Sequence, residues 1–409
     1  GFDTRLAANG TFLNRGDFPA LGYQTESELS SDELRRKYKL PEARRGFPRT
    51  DSAHVKLQEF SSHSDFIAFD STVSTAPDQI ALAPGYKQRE WTADGRRYFH
   101  YAMNAPIPDF YSVLSARWQV SRGEWNGLPI EIYHHPTHTF NVARMIEASK
   151  ASLALFSRDF GAYQHQQLRI LEFPRYAGFA QSFPNTVPYS EGIGFVARVD
   201  STDVEDMDLP YFVTAHEIAH QWFPYQRMSG DVEGKDMLSE SFSEYTALVV
   251  TEQLHGRPFT QKFLRSELDR YLRGRAGERK AEHPLVRTYQ QGYIHYQKGS
   301  LALFALRDLL GQAVLHGAIK AYQDERRFMG PPYGTTLDFM RQLRAVTPDS
   351  LQYALDDYLE TITLWDVKAD SVRSTRLPNG EYQVVLTATA RKLRADSLGT
   401  ETDVPMNDL

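Results

Sequence analysis

The feature that most constrains this chain is the segment His216-Glu217-Ile218-Ala219-His220, which places three ionisable side chains inside an apolar run. The flanking residues between Phe212 and Trp222 are mostly apolar. Pro210 suits the first turn of a helix and Pro224 predicts its end, so we expect a buried helix between them. Two imidazoles and a carboxylate on a buried helix require polar partners. The chain must therefore fold other polar groups against this helix.

The spacing of the two histidines indicates that this helix binds a metal ion. His216 and His220 are four residues apart, so they lie on one helix face about one turn apart and can reach the same ion. Zinc accepts neutral imidazole nitrogen at about 2.0–2.1 Å. Glu217 lies about 100° further around the helix, beside the ion, where a carboxylate could act as general base on a metal-bound water. The alternative is an exposed helix with a chance histidine pair, which the apolar flanks disfavour.

A catalytic zinc ion has three protein ligands and one open position. Glu240 is the candidate for the third ligand, because it lies on the next predicted helix, from about residue 236 to 255. Glu233 and Asp236 are rivals, but they fall in the loop or at the helix start. Glu244 is four residues after Glu240 and on the same face. Its carboxylate could accept the free ring N–H of a ligand histidine, or it could be solvated.

Composition narrows the function further. The chain has 409 residues, no cysteine and a formal net charge of −6. The absence of cysteine excludes disulfides, thiol catalysis and thiolate zinc ligands. The acidic balance and the lack of a long basic run argue against a nucleic acid partner. A chain of this length can bury a large core without a metal, so a zinc ion would serve chemistry rather than folding.

The periodicity predicts an α+β, multidomain chain. A β-rich N-terminal module with an extended arm occupies 1–134, and Asp94-Gly95 and Asn126-Gly127 are hairpin signals within it. A mainly helical domain follows over 135–365. Apolar and polar residues alternate again over 366–409, and this pattern predicts part of a β-sandwich module.

Longer segments carry a family resemblance. HEIAHQWF and LSESFSEY are similar to the zinc motif and third-ligand helix of the zinc aminopeptidases related to aminopeptidase N and leukotriene hydrolase. The resemblance covers about residues 135–365. It implies a thermolysin-like catalytic domain with one zinc ion, bound by His216, His220 and Glu240, and with Glu217 as its general base.

Two further segments match that family in part. Pro188-Tyr189-Ser190-Glu191-Gly192 stands where the family carries its exopeptidase motif, so the resemblance implies that Glu191 binds the free amine of a peptide substrate. Ser190 and Gly192 replace the Met and Asn of the family motif. Tyr296 stands where the family has the tyrosine that stabilises the oxyanion, with Tyr293 as a rival three residues away.

The resulting hypothesis is a zinc-dependent aminopeptidase that removes the first residue of a peptide. The alternatives are a zinc endopeptidase, in which Glu191 only lines the cleft, and a non-catalytic peptide-binding domain of a membrane transporter. A second metal site at His134, His135 and His138 is less favoured, because Pro136 places them in a loop.

The chain is also similar to a bacterial subgroup in which the peptidase domain is fused to a transporter-like membrane region. This predicts that the chain is a soluble part of a membrane-tethered, extracytoplasmic parent. The sequence does not predict an oligomeric state.

Overall fold

The computed structural model describes residues 5–20, 22, 28–29, 31–42, 46–60, 65–200, 206–406 and 408. The N-terminal region is built from short antiparallel strands around a second core, to which Tyr133, Leu171 and Phe173 of the following sheet also belong. Its strands are β1 (Leu6–Ala7), β2 (Gly10–Leu13), β3 (Phe66–Ile67), β4 (Asp70–Thr75), β5 (Ile80–Leu82), β6 (Tyr86–Ala93), β7 (Arg96–Ala102), β8 (Ile107–Pro108) and β9 (Val113–Ala116). A short helix, α1 (Asp32–Lys37), lies in the arm. The hairpin predicted at Asp94-Gly95 joins β6 to β7.

A mixed sheet follows, made of β10 (Gln119–Trp125), β11 (Leu128–His134), β12 (Leu168–Phe173) and β13 (Thr186–Ser190), in that order. β10 and β11 are antiparallel and form the hairpin predicted at Asn126-Gly127. β11, β12 and β13 run parallel to one another. The boundary predicted after residue 134 therefore falls inside this sheet, because β11 pairs with a strand from the following segment.

Helices pack beside the mixed sheet and form the main core with it. They are α2 (Val142–Phe160), α3 (Leu209–Ala219), α4 (Phe242–His255), α5 (Arg257–Gly277), α6 (Gly299–Leu310), α7 (Gln312–Glu325), α8 (Thr336–Val346) and α9 (Gln352–Leu355). Wider π-type turns precede or follow three of them, at Met237–Ser241, Tyr293–Lys298 and Asp356–Glu360. Asn141 does not cap α2 with its side chain, which instead donates to the carbonyls of Gly194 and Ala197.

The C-terminal strands β14 (Ile362–Arg376), β15 (Tyr382–Ala395) and β16 (Glu401–Val404) form an antiparallel sheet. The β14–β15 hairpin is exposed along most of its length and is anchored at its base. There Asp357 pairs with Lys392 and Arg394. The α+β class, the β-rich front, the helical middle and the C-terminal strands are all confirmed.

Candidate active site

Helix α3 places the predicted metal-binding face in the interior of the helical region. Asp208 accepts a hydrogen bond from Tyr211 N at 3.2 Å and so caps the helix, with Pro210 in the first turn. Ala215, Ile218 and Ala219 of the helix are fully buried, and Trp222 just beyond it has no exposed surface. His216, Glu217 and His220 lie at the boundary of this core, each less than a tenth exposed.

Three predicted ligand atoms converge beside α3. The Nε2 atoms of His216 and His220 are 3.1 Å apart, and Glu240 Oε2 lies 3.3 Å from the first and 3.4 Å from the second. Tetrahedral ligands at zinc distances are separated by about 3.3 Å. The spacing of these atoms therefore matches a zinc ion, and the three residues form a candidate metal-binding group.

The other ring nitrogens are held so that the Nε2 atoms face one another. His220 Nδ1 donates to Phe223 O at 2.8 Å and lies 3.1 Å from Ser243 Oγ. His216 Nδ1 lies 2.8 Å from Glu244 Oε2. Glu244 is therefore not a solvated carboxylate, and it orients a ligand ring as such groups commonly do at zinc sites.

Two carboxylate oxygens at this point are buried and have no hydrogen-bond partner among the described residues, Oε2 of Glu217 and Oε2 of Glu240. Unsatisfied buried carboxylate oxygens are costly, and a cation bound by Glu240, with a water beside Glu217, would remove that cost. Two imidazoles with one carboxylate is also a ligand set that catalytic zinc uses. The residues present therefore fit zinc. The rival ligand Asp236 lies near His295 instead, with 3.6 Å between Oδ2 and Nδ1.

The electrostatics of the two carboxylates differ. Burial opposes ionisation of Glu240, but the imidazoles of His220 and His216 hold the pKa of its carboxyl well below the ordinary value. In the site without an ion Glu240 is therefore ionised, which is the form that binds a metal. Burial raises the pKa of Glu217 above its ordinary value, against the opposing effect of the two imidazoles. A pKa nearer neutrality suits a general base.

Tyr296 faces this group and Tyr293 does not. The Tyr296 ring centre is 6.0 Å from that of His216, and its hydroxyl contacts Glu240. Burial, followed by the nearby carboxylate of Glu240, raises the pKa of the Tyr296 hydroxyl. It therefore stays protonated and can donate a hydrogen bond. Tyr293 instead donates to Glu278 Oε2 at 3.2 Å.

A small cavity of about 120 Å³ opens on these side chains. The N-terminal region contributes Phe60 and Phe110 to its wall, and an extended segment contributes Ala180, Gln181 and Ser182. This segment pairs antiparallel with β13, through Gln181 N to Pro188 O at 3.0 Å and Ser190 N to Phe179 O at 3.0 Å. None of these wall residues was predicted from the sequence, because none carries a side chain typical of catalysis or metal binding.

Glu191 does not line this cavity. It follows the end of β13, and its carboxylate lies 3.9 Å from His138 Nδ1 and 3.6 Å from Arg175 Nε. The structure therefore brings five of the six predicted site residues together: His216, Glu217, His220, Glu240 and Tyr296. The role predicted for Glu191 stays a prediction, without support from these contacts.

The fold and this residue group define an HExxH metallohydrolase domain, in which a third ligand comes from the following helix. Residues 145–358 match the Peptidase family M1 domain, which is more than half of the chain. The chain belongs to the M1 peptidase family.

Solved structures support the same fold. A point mutant of the M1 zinc metallopeptidase from Deinococcus radiodurans is 18% identical, with a TM-score of 0.56 over 73% of this chain and 65% of the other. Another structure of the Deinococcus radiodurans M1 zinc metallopeptidase is 16% identical, with a TM-score of 0.55 over 73% and 64%. This chain thus spans just under two thirds of each. A search of curated protein sequences gave no match.

The described residues contain no single helix that is long and apolar enough to cross a membrane. Tyr293–Leu310 and Gln312–Glu325 satisfy length and composition only as a pair, and they are bent by 119°.

Proposed function

We propose that this chain is a zinc-dependent aminopeptidase, which hydrolyses the first peptide bond of a peptide. The observation that carries the proposal is the convergence of His216, His220 and Glu240 at 3.1–3.4 Å beside the buried carboxylate of Glu217. Membership of the M1 family supports it.

Each side chain then has a defined task. Zinc, when bound, polarises the substrate carbonyl and lowers the pKa of water toward neutrality. Glu217 takes the proton of the attacking water through its unpartnered Oε2, and later delivers it to the leaving amine. Tyr296 donates its hydroxyl hydrogen bond to the oxygen on which negative charge develops. Glu244 keeps the His216 ring in orientation.

The cavity favours a peptide end over the middle of a chain. Its volume of about 120 Å³ is comparable to a cavity of about 150 Å³ that holds one benzene-sized group, which suits one side chain rather than an extended peptide. Its wall includes two carboxylates, Glu217 and Glu240, and no lysine or arginine. A bound zinc ion offsets the charge of these two carboxylates, so they do not by themselves select a terminal amine. The preference for the amino end of a peptide is therefore supported by membership of the M1 family and by the small volume of the cavity.

One observation favours the endopeptidase alternative. Glu191, the predicted amine anchor, contacts His138 and Arg175 outside the cavity. If no other carboxylate holds the substrate amine, an N-blocked or internal bond could be cleaved equally well.

Hydrolysis of aminoacyl amides, free and N-acetylated, tests the proposal with and without a zinc chelator. We expect chelator-sensitive cleavage of the free-amine substrates only, and its loss in Glu217→Gln. Equal cleavage of acetylated substrates would establish the endopeptidase alternative. Zinc-loaded protein without turnover, but with measurable peptide binding, would instead support a peptide-binding domain.

The membrane-tethered, extracytoplasmic parent stays a proposal that rests on resemblance alone. Protease accessibility of this domain in intact spheroplasts of the source cell would test it, because a cytoplasmic domain is protected until the membrane is lysed.

A further inference from the structure

Part of the wall of the catalytic cavity is aromatic. Phe60, Phe110 and Tyr225 all line the cavity, and we call these three residues the aromatic wall. The rings of Phe60 and Phe110 are stacked, with centres 4.5 Å apart and planes inclined by 8°, and the centre of the Tyr225 ring lies 5.6 Å from that of Phe60. Phe60 and Phe110 are only half-buried. A ligand in the cavity therefore meets uncovered aromatic surface.

Phe60 reaches the cavity from a segment of the N-terminal region that runs beside the loop after α3. Glu59 N donates to Ser229 O at 3.1 Å, and Asp231 N donates to Leu57 O at 2.8 Å. These backbone hydrogen bonds immediately precede Phe60 in the chain. They fix the position of its ring relative to the helix that carries the zinc motif.

A glycine in that loop allows the close approach. Gly230 forms an antiparallel bridge with Gln58, and a Cβ atom at Gly230 would lie only 3.0 Å from Val55 Cα. The two segments therefore pack backbone against backbone. A wall that is held in this way is preorganised, which lowers the entropy cost of ordering it around a ligand.

The aromatic wall offers little to a charged side chain. The Tyr225 hydroxyl already donates to Ser182 O. No lysine or arginine is among the described residues that line the cavity, and its carboxylates, Glu217 and Glu240, belong to the metal-binding group. Gln181 adds an amide, which cannot neutralise a charge. A charged side chain would therefore lose its water without gaining a counter-charge, which is costly.

The size of the cavity limits which apolar side chain it accepts. Its volume is about 120 Å³, below the roughly 150 Å³ of a cavity that holds benzene. A branched or linear aliphatic side chain fills such a space, whereas an indole exceeds it. Glycine would leave the aromatic surface without contacts, and the dispersion attraction of those contacts would be lost.

We propose that Phe60 and Phe110 select peptides whose first residue has an aliphatic side chain of about the size of leucine or methionine. This inference rests on the proposed function and adds the substrate class to it. The two rings are specificity-determining and take no part in the proton transfers. Because the side chain stays against the rings from binding to the transition state, the selection appears in kcat/KM.

The ratios of kcat/KM among aminoacyl amides of leucine, glycine, lysine and tryptophan test the inference on the zinc-loaded protein. We expect leucinamide to exceed glycinamide by about 10²-fold or more, since each methylene in an apolar pocket contributes roughly tenfold or more. Lysinamide and tryptophanamide should both be poor substrates, the first because of its charge and the second because of its size.

Variants of Phe60 should change these ratios in opposite directions. Phe60→Ala enlarges the cavity, so the leucinamide-to-glycinamide ratio should fall by about tenfold and tryptophanamide should improve relative to leucinamide. Phe60→Trp fills the cavity, so alaninamide should improve relative to leucinamide. A variant that is merely destabilised loses rate on all amides alike. The matched control is Phe66→Ala, which removes a half-buried ring of the same aromatic cluster that does not line the cavity and should leave the ratios unchanged.

Binding separates this inference from the proposed activity. Ligand-observed NMR on Glu217→Gln should show tighter binding of leucinamide than of glycinamide, and addition of Phe60→Ala should reduce the difference. Turnover with equal kcat/KM on the leucine, glycine and lysine amides, or ratios unchanged by both Phe60 variants, would overturn the inference and leave the peptidase activity standing. No turnover on any amide, with leucinamide still bound in preference to glycinamide, would count against the proposed activity alone. Equal binding of the two amides together with no turnover would overturn both.

Discussion

The helical region around α3 and the C-terminal hairpin differ sharply in what they do with apolar residues. In the helical region Trp222, Phe242 and Val250 have no exposed surface. In the β14–β15 hairpin Val367 is 62% exposed and Val384 is 60% exposed. The predicted catalytic groups all lie in the first region, and the second carries none.

The difference shows why the reactive groups lie where they do. A glutamate whose pKa is raised by burial needs neighbours that exclude water, and ligand histidines need fixed orientations. The helical region supplies both, because α3 and α4 pack side by side and Ser243 and Glu244 of α4 contact the ligand rings. A hairpin open to solvent on both faces supplies neither.

The largest effect is expected at Glu217. Replacing it with Gln removes the proton acceptor but keeps the shape, so kcat/KM should fall by about 10²–10⁴-fold. Zinc content should remain that of the wild type, because Glu217 is not a ligand. Turnover near the wild-type rate with zinc bound would show that another group accepts the proton.

The sequence predicts how the residues of the zinc motif lie relative to one another, for a physical reason. His216, Glu217 and His220 lie on one helix, whose 3.6-residue period fixes their relative positions. Glu240 was predicted as the third ligand because only the position of one further helix had to be inferred. Residues whose position depends on strand pairing were harder to place from the sequence, because one segment alone shows neither the register of a strand nor its neighbours. Glu191 is such a residue: β13 ends just before it, Gln181 and Ser182 of an adjoining segment occupy the cavity wall, and its role stays a prediction.

The next largest effect concerns stability of the helical region. Trp222→Ala should cost about 3–5 kcal/mol of unfolding free energy, because the indole is fully buried and donates to Gly161 O at 2.7 Å. Urea denaturation of the metal-free protein measures it. Phe140→Ala is the matched control, since Phe140 is 74% exposed and its loss should change little. Equal losses of unfolding free energy in Trp222→Ala and Phe140→Ala would contradict the difference in packing between buried and exposed positions.

A polar network in the same region should make its stability depend on pH. Burial opposes ionisation of Asp159, but His316 and Arg158 lower the pKa of its carboxyl to about 2, with His316 Nδ1 2.8 Å from Oδ2. The folded pKa lies below the unfolded value, so the stabilisation is full above about pH 5 and is lost as pH falls toward 2. Its size is about 2 kcal/mol at most. The stability difference between wild type and Asp159→Asn should shrink from pH 6 to pH 3. If this stability difference stays constant from pH 6 to pH 3, the hydrogen bonds of Asp159, and not its charge, account for the stabilisation.

The smallest effect is expected in the hairpin. Val384→Thr keeps the β-branched shape on an exposed strand, so the unfolding free energy should change by less than about 0.5 kcal/mol. Val250→Thr makes the same chemical change at a fully buried position of α4, where burial of the new hydroxyl should cost about 1–3 kcal/mol. Both variants are compared by urea denaturation under one condition. A large loss of unfolding free energy in Val384→Thr would mean that another surface covers this face of the hairpin in solution. The contrast between the two regions would then not reflect a sheet that is exposed to solvent.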